Sequence, residues 1–173
     1  MDGREVPIGS PKQRTVLAML ALSHRASVEA LAEALWREGA PASVAATIHT
    51  LVSRVRRILE DPDLGVTIRA EGGGYSIEMD AGQLDVNRFH DRAAAGRTAA
   101  ADGAWTEAAA HLRQALSLWR GPALADLVDH DFARIAAVRL EEARVGVVED
   151  LAEAELAAGR PAKALAVLEP FVA

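Results

Sequence analysis

The chain has 173 residues, a formal net charge of −6 and no cysteine. This length suits one or two small domains, and the lack of cysteine excludes disulfides, thiolate zinc sites and cysteine nucleophiles. No apolar run approaches the roughly 18 residues that a membrane span needs, and the first residues lack the pattern of a signal peptide. We therefore expect a cytoplasmic protein that does not contact a membrane. Residues 1–80 and 81–173 each carry more acidic than basic side chains, so binding to nucleic acid would have to depend on a local patch.

Two helices are predicted near the N-terminus. The segment REVPI at 4–8 is a candidate short strand, and GSP at 9–11 begins a helix to about Leu22. In that helix Ser10 is a candidate cap, and Pro11 suits the first helical position, where its missing N–H is not needed. The segment SHRAS at 23–27 is a break. Ser27 then caps a short second helix that ends near REGAP at 37–41.

A third helix is predicted from about Ser43 to Glu60 and has two contrasting faces. Its apolar stripe contains Val44, Ile48, Leu51, Val52, Val55, Ile58 and Leu59. The opposite face carries Ala46, His49, Thr50, Ser53, Arg56 and Arg57, with Thr47 and Arg54 on the flanks. From Ala40 to Leu59 there are three arginines and no acidic residue. The exposed face is thus small, polar and cationic.

A β-hairpin is predicted after the third helix. VTIRA at 66–70 and YSIEM at 75–79 form its arms, and EGGG at 71–74 forms its turn. The three glycines lack the Lys-Ser/Thr pair of a phosphate-binding loop, so we interpret them as a turn.

The remaining residues predict an all-helical domain. A linker at 81–86 precedes helices at about 86–101, 104–119, 131–158 and 161–172, with a break at 120–127. A weak internal repeat begins at Gly103 and at Gly159, because each glycine is followed five residues later by alanine and nine later by leucine. Small residues at such positions let helix pairs stack closely. We expect a tetratricopeptide-like arrangement without a strict 34-residue period.

Three helices followed by a hairpin form the order of a winged helix-turn-helix. In that fold the third helix enters the major groove, which is wide enough to admit a helix. Small side chains allow the helix backbone to approach the bases, and arginine can pair with guanine or with phosphate. The fold class predicted is therefore mainly α with a small β component, in two domains, 1–80 and 81–173.

The segments GSPKQRTVLAMLAL, VEALAEALW, PASVAATIHTLVSRVRRILE and GGGYSI, in this order, resemble the OmpR-type winged helix of the Streptomyces antibiotic regulatory proteins. The segments LDVNRF, GAWTEAAAHLRQALSLWRGPALADL and RLEEARVGVVEDLAEAELAAGR resemble the bacterial transcriptional activator domain that follows it in that family. The resemblance covers nearly the whole chain. Two of its motifs, the third helix PASVAATIHTLVSRVRRIL and the segment LWRGPALADL, are quite specific for this family when they occur together.

The resemblance implies a transcriptional activator, often of secondary-metabolite genes. No motif supports an enzyme, and we expect no cofactor. Such activators bind direct repeats in double-stranded DNA near a promoter, in a head-to-tail pair, and help recruit RNA polymerase through its sigma subunit. The resemblance implies a set of candidate DNA-binding residues: Thr47, His49, Thr50, Ser53, Arg54, Arg57 and Tyr75. The cationic face and the hairpin add Arg56 and Arg69 as candidates. Thr47 and Arg54 would mainly hold phosphates, while His49, Thr50 and Ser53 would face bases. Tyr75 matches the tyrosine that closes the wing.

The chain departs from the family pattern in three places. Only REVPI remains of the strands that usually precede the first helix, so the N-terminal sheet is reduced or the chain is truncated. The helical domain stops at VLEPFVA, which leads us to expect that it is C-terminally incomplete. Glu71 lies at the wing tip, where related proteins often have a basic residue, and leaves Arg69 as the nearest cation.

Alternative interpretations stay open. The arginines of the third helix could form an ordinary solvated face with Glu60 and Asp61 as partners, and the winged helix could have become a protein-interaction module with little affinity for DNA. The five histidines lack metal-ligand spacing. DHD at 129–131 is interpreted as a solvated loop that caps a helix, and no motif indicates an enzyme.

Overall fold

The computed structural model of the protein describes residues 8–36 and 39–171. The helices are α1 (Pro11–Ser23), α2 (Val28–Leu35), α3 (Val44–Ile58), α4 (Asp85–Ala101), α5 (Trp105–Leu116), α6 (Asp131–Ala157) and α7 (Pro161–Leu168). The strands are β1 (Arg25–Ser27), β2 (Thr67–Glu71) and β3 (Gly74–Glu78). The chain divides into two compact units. The first runs to Asp80 and includes Asp129–Ala133, and the second contains Ala81–Val128 and continues from Arg134.

Helices α1 and α2 begin where the capping pattern predicts. The backbone N–H of Ser10 donates to Oε1 of Gln13 at 2.6 Å, and Pro11 is the first residue of α1. At α2, the backbone N–H of Ala30 donates to Oγ of Ser27 at 3.1 Å. These bonds satisfy backbone groups that a helix end leaves without an intrahelical partner. The strand predicted at 4–8 lies outside the described residues, apart from Ile8, which is not in a strand.

A three-stranded sheet in the order β1-β3-β2 completes the first unit, and both pairings are antiparallel. The sequence predicted the β2–β3 hairpin but only a helix break at 23–27. Part of that break is the strand β1, in which Arg25 pairs with Ser76 and Ala26 with Tyr75. The strand was missed because three residues are too few to show the alternation of apolar and polar side chains that identifies a strand. They form a strand by pairing with β3, whose residues lie about 50 positions away in the chain.

The hairpin turns through two residues instead of four. Gly72 and Gly73 have φ angles of +50° and +81°, a region that glycine enters without steric cost, and two such residues suit the twist of a tight hairpin. Glu71 ends β2 and Gly74 begins β3. A Cβ at position 74 would lie 2.2 Å from the carbonyl oxygen of Ala26. Gly74 therefore allows β1 to pair closely with β3.

One hydrophobic core holds the three helices against the sheet. Its fully buried side chains include Val16 and Leu20 of α1, Leu31 of α2 and the α3 residues Ile48 and Val52. The sheet contributes Ala26, Ile68, Tyr75 and Ile77. Burial of one large aliphatic side chain stabilises the fold by about 1.5–3 kcal/mol, so the buried stripe of α3 fixes which face of that helix remains exposed.

The first unit also contains His130, which corrects the interpretation of 129–131 as a solvated loop at its middle residue. Asp129 and Asp131 are exposed, and α6 begins at Asp131. The side chain of His130 is half-buried. Its Nδ1 lies 2.8 Å from the carbonyl oxygen of Ala34, and its Nε2 lies 3.1 Å from Oγ1 of Thr15. Sequence spacing could not indicate these contacts because they join segments about 100 residues apart.

The second unit is helical in its described part, as the sequence predicts, with 3₁₀ turns between helices. Its core joins α4, α5 and the C-terminal part of α6 through residues such as Phe89, Leu112 and Leu151. A Cβ at position 96 would lie 2.6 Å from Cγ of Leu112, so Gly96 allows α4 and α5 to approach closely. Helix α5 ends at Leu116, three residues before the predicted end, and α7 gives way at Leu168 to a short 3₁₀ turn that contains Pro170.

The internal repeat in the sequence corresponds to two similar helix starts. Gly103 and Gly159 both have a φ of +74°, and each precedes a helix after one further residue, α5 or α7. Ala108 and Ala164 are buried.

Between these repeats, the fully buried carboxylate of Glu155 accepts hydrogen bonds from Arg113 and from Nε of Arg160, the latter at 2.5 Å. Burial raises the pKa of Glu155, but the two guanidinium groups outweigh it, and this pKa lies below its ordinary value.

Candidate nucleic-acid interface

Helix α3 presents a continuous exposed face without a carboxylate. Its core-facing residues Ile48, Leu51, Val52 and Val55 are buried. The exposed side chains on the other side are Ala45, Ala46, His49, Thr50, Ser53, Arg54 and Arg57. Residues 46, 50, 53 and 57 lie three or four positions apart and therefore share one stripe of the helix. The structure places the predicted residues Ala46, His49, Thr50, Ser53, Arg54 and Arg57 on one exposed surface, whereas Thr47 is half-buried.

The two threonines of α3 donate their hydroxyl protons to their own helix. Oγ1 of Thr47 donates to the carbonyl oxygen of Ser43, and Oγ1 of Thr50 donates to that of Ala46, each at 2.9 Å. Each hydroxyl oxygen keeps lone pairs that can accept a further hydrogen bond. In this rotamer Thr50 offers an acceptor and a methyl group. Thr47 could donate to a phosphate only after its hydroxyl breaks the bond to Ser43.

Arg56 differs from its neighbours because its guanidinium contacts the sheet. Its Nε donates to the carbonyl oxygen of Ile68 in β2 at 2.8 Å. Its Cζ lies 5.9 Å from the ring centroid of Tyr75, which is within the range of a cation–π contact. These contacts join α3 to the hairpin, so Arg56 orients the helix face that Arg54 and Arg57 share.

Tyr75 is buried and reaches the exposed face only through its hydroxyl group. The side chain is 7% exposed and packs in the core. Its Oη lies 3.5 Å from Nδ1 of His49, which is a long hydrogen bond. The tyrosine thus lies behind His49, and together with Arg56 it connects β3 to α3.

The hairpin carries one exposed cation that is already paired. Nη2 of Arg69 lies 3.0 Å from Oε2 of Glu78. Both side chains are more than half exposed, so the pair contributes little to stability. Glu71 is exposed at the end of β2. Arg25 of β1, which is not among the predicted DNA-binding residues, also lies near the hairpin turn. Only the pairing of β1 with β3, which the sequence did not indicate, reveals this position.

A small cavity lies in the second unit. The cavity has a volume of about 260 Å³ and is lined by residues that include Trp105 and Leu112. The ion pair of Arg97 and Asp150, 2.7 Å apart, lies at the same cavity. Across 8–36 and 39–171, no group of three His, Asp or Glu side chains is placed to hold a metal ion. Over the same residues, no helix is long and apolar enough to span a membrane.

Comparison with known proteins identifies regulators of transcription. Residues 84–173, more than half of the chain, match the family model described as the bacterial transcriptional activator domain. The transcriptional regulatory protein EmbR of Mycobacterium tuberculosis is 41% identical over 98% of this chain, which corresponds to 45% of EmbR. The regulatory protein DnrI of Streptomyces peucetius is 36% identical over 99% of this chain and 66% of its own length.

A solved structure of M. tuberculosis EmbR in complex with a low-affinity phosphopeptide has the same fold. It is 40% identical, covers 98% of this chain with a TM-score of 0.89, and is matched over 46% of its own length. The chain thus spans about half the length of the EmbR proteins it matches. On the match over 84–173 and these similarities, the chain belongs to the bacterial transcriptional activator domain family.

Proposed function

We propose that the protein is a sequence-specific activator of transcription whose first 80 residues form a winged helix-turn-helix. In this proposal α3 is the recognition helix, the β2–β3 hairpin is the wing, and the helical residues 81–173 form the activator domain. The observation that carries the proposal is the acid-free exposed face of α3, with Arg54 and Arg57 beside small side chains, in a chain whose net charge is −6.

The geometry of α3 supports distinct roles for its residues. Arg54 and Arg57 are exposed and suited to phosphate or guanine. His49, Thr50 and Ser53 are suited to the edges of bases, and Thr47 to a phosphate once its hydroxyl rotates. Arg56 and Tyr75 hold α3 against the hairpin, so we propose that they position the exposed face of α3 toward DNA. Arg69 contributes to DNA binding only if it leaves Glu78.

We propose that the activator binds direct repeats near a promoter as a head-to-tail pair, recruits RNA polymerase through its sigma subunit and regulates secondary-metabolite genes. Membership of a family of transcriptional activators and the similarity to regulators such as DnrI support this proposal.

A salt series with one charge variant tests the proposed function. The dissociation constant of the purified chain for a labelled duplex is measured by fluorescence anisotropy between about 50 and 200 mM salt. Arg54→Ala should weaken binding and reduce the salt slope by about 0.9, because one phosphate contact is lost. Arg92→Ala, which removes an exposed cation from α4, serves as the control and should keep the slope. An unchanged slope in Arg54→Ala would contradict the proposed role of α3.

A protein-interaction module is the second candidate function, and an exposed apolar row on α6 favours it. Ile135, Val138 and Val145 are 57%, 55% and 44% exposed, and their spacing of three and seven places them near one stripe of the helix. Recovery of a protein partner that Val138→Asp abolishes, together with no DNA binding by the parent at low salt, would favour this function over the first.

A further inference from the structure

Arg25 lies on the outer face of the sheet in the first unit. The register places Arg25 opposite Ser76, and Ser76 opposite Arg69 on the other side of β3. Directly paired residues share a face of a sheet, and successive residues alternate between faces. Ala26 and Tyr75, the next pair in the register, are buried. Arg25 therefore belongs to the exposed row, which agrees with its exposed side chain.

The guanidinium group of Arg25 reaches the turn of the hairpin. A Cβ at position 72 would lie 2.6 Å from Nη2 of Arg25. This approach is too close for any side chain at that position unless the arginine moves. Gly72 thus leaves room for the guanidinium directly beside the backbone of the turn, although Arg25 comes from a different strand.

The charges around the turn leave Arg25 as an available cation. Arg69 is paired with Glu78 at 3.0 Å. Within the part of the chain that the structure describes, no carboxylate lies within ion-pair distance of Arg25. Glu71 is exposed at the end of β2, so a cation beside the turn is also needed to offset its charge if an anion is to approach.

We propose that Arg25 binds a backbone phosphate of DNA beside the hairpin turn and so replaces the basic residue that the turn itself lacks. This inference rests on the proposed function. A guanidinium group can form two parallel hydrogen bonds to a phosphate. A contact made from the sheet to the sugar–phosphate chain does not depend on base sequence, so Arg25 adds affinity without adding specificity.

The experiment measures salt slopes on two duplexes, one carrying a sequence selected by the parent protein from a random pool and one of unrelated sequence. Arg25→Ala should reduce the slope by about 0.9 and weaken binding to both duplexes by the same factor. Arg25→Lys should retain most of the slope because it keeps the charge. Arg92→Ala should leave the slope unchanged, and circular dichroism checks that each variant is folded.

Three results would overturn the inference. The first is an unchanged salt slope in Arg25→Ala. The second is a loss of affinity confined to the selected duplex, which would mean that Arg25 contacts a base. The third is an equal reduction of the slope in Arg92→Ala, which would mean a general effect of charge. The proposed function stands separately if Arg54→Ala lowers the slope while Arg25→Ala does not. Absence of DNA binding by the parent protein would remove both.

Discussion

Nε of Arg56 donates a hydrogen bond of 2.8 Å to the backbone carbonyl oxygen of Ile68, which joins α3 to strand β2. Two of the three arginines of α3, Arg54 and Arg57, point to solvent, while the third is half-buried and contacts the hairpin. In the proposed function a DNA-reading helix needs a fixed angle to the hairpin, and this bond is one of the contacts that hold α3 against β2. The three arginines should therefore respond differently to mutation.

Substitution of Arg56 should lower stability, whereas substitution of Arg57 should not. Arg56→Gln removes a charged donor from a partly buried carbonyl group, which should reduce the free energy of unfolding by about 1.5–3 kcal/mol. Arg57→Gln changes an exposed side chain and should remain within about 0.5 kcal/mol of the parent. Urea denaturation followed by circular dichroism compares the two variants. Equal stability of both would show that the bond to Ile68 contributes nothing.

Thr50 should influence base preference through an acceptor oxygen and a methyl group. Its hydroxyl proton is donated to Ala46, so the oxygen is free to accept from the amino group of adenine or cytosine, and the methyl group can contact thymine. Thr50→Val keeps the shape of the side chain and removes the acceptor oxygen, whereas Thr50→Ser keeps the acceptor oxygen and removes the methyl group. Selection from a random duplex pool should show that one of the two variants changes preference at one base pair by about 1–3 kcal/mol. Identical selected sequences for both variants and the parent would exclude Thr50 as a base reader.

Glu71 should weaken DNA binding because its carboxylate lies at the hairpin turn. Glu71→Gln removes the negative charge with little change in size. Affinity should then rise by about threefold, the scale of an exposed charge interaction, and the gain should shrink at high salt because screening increases. Glu60→Gln, at an exposed acid after α3, provides a comparison on the same unit. Unchanged affinity for Glu71→Gln would mean that the turn does not approach DNA.

The buried Glu155 should make the second unit sensitive to acid. Its pKa is lower in the folded protein, since hydrogen bonds and charge from Arg113 and Arg160 outweigh the effect of burial. Its stabilising contribution is therefore present above the ordinary carboxylate pKa of about 4.3 and is lost as the pH falls through the lower folded value.

Glu155→Gln should remove this contribution at neutral pH. The free energy of unfolding should fall by about 3 kcal/mol, the lower end for a broken buried pair, since Arg113 remains partly in water. The exposed pair of Arg97 and Asp150 supplies the control, because Asp150→Asn should cost less than about 1 kcal/mol. Thermal melts of the whole chain between pH 3 and pH 7 should show a smaller acid-dependent loss for Glu155→Gln. An identical pH profile for that variant and the parent would contradict the assignment.

Local patterns in the sequence predicted α3 and the hairpin, because an apolar stripe and a glycine turn are encoded by neighbouring residues. The role of Arg56 could not be predicted in this way, since its acceptor is a backbone carbonyl brought close only when β2 packs beside α3. Strand β1 was missed for a similar reason. Its three residues become a strand by pairing with β3, and the position of Arg25 beside Gly72 follows from that pairing alone.

The most direct test of the central claim, that α3 reads DNA, is recovery of bound fragments from sheared genomic DNA of the source organism. The parent chain and Arg54→Ala are incubated with the fragments in parallel at moderate salt, and the bound DNA is sequenced. A short direct repeat that is enriched by the parent and lost in Arg54→Ala is the predicted result. No enrichment by the folded parent protein, or equal enrichment by both proteins, would contradict the claim.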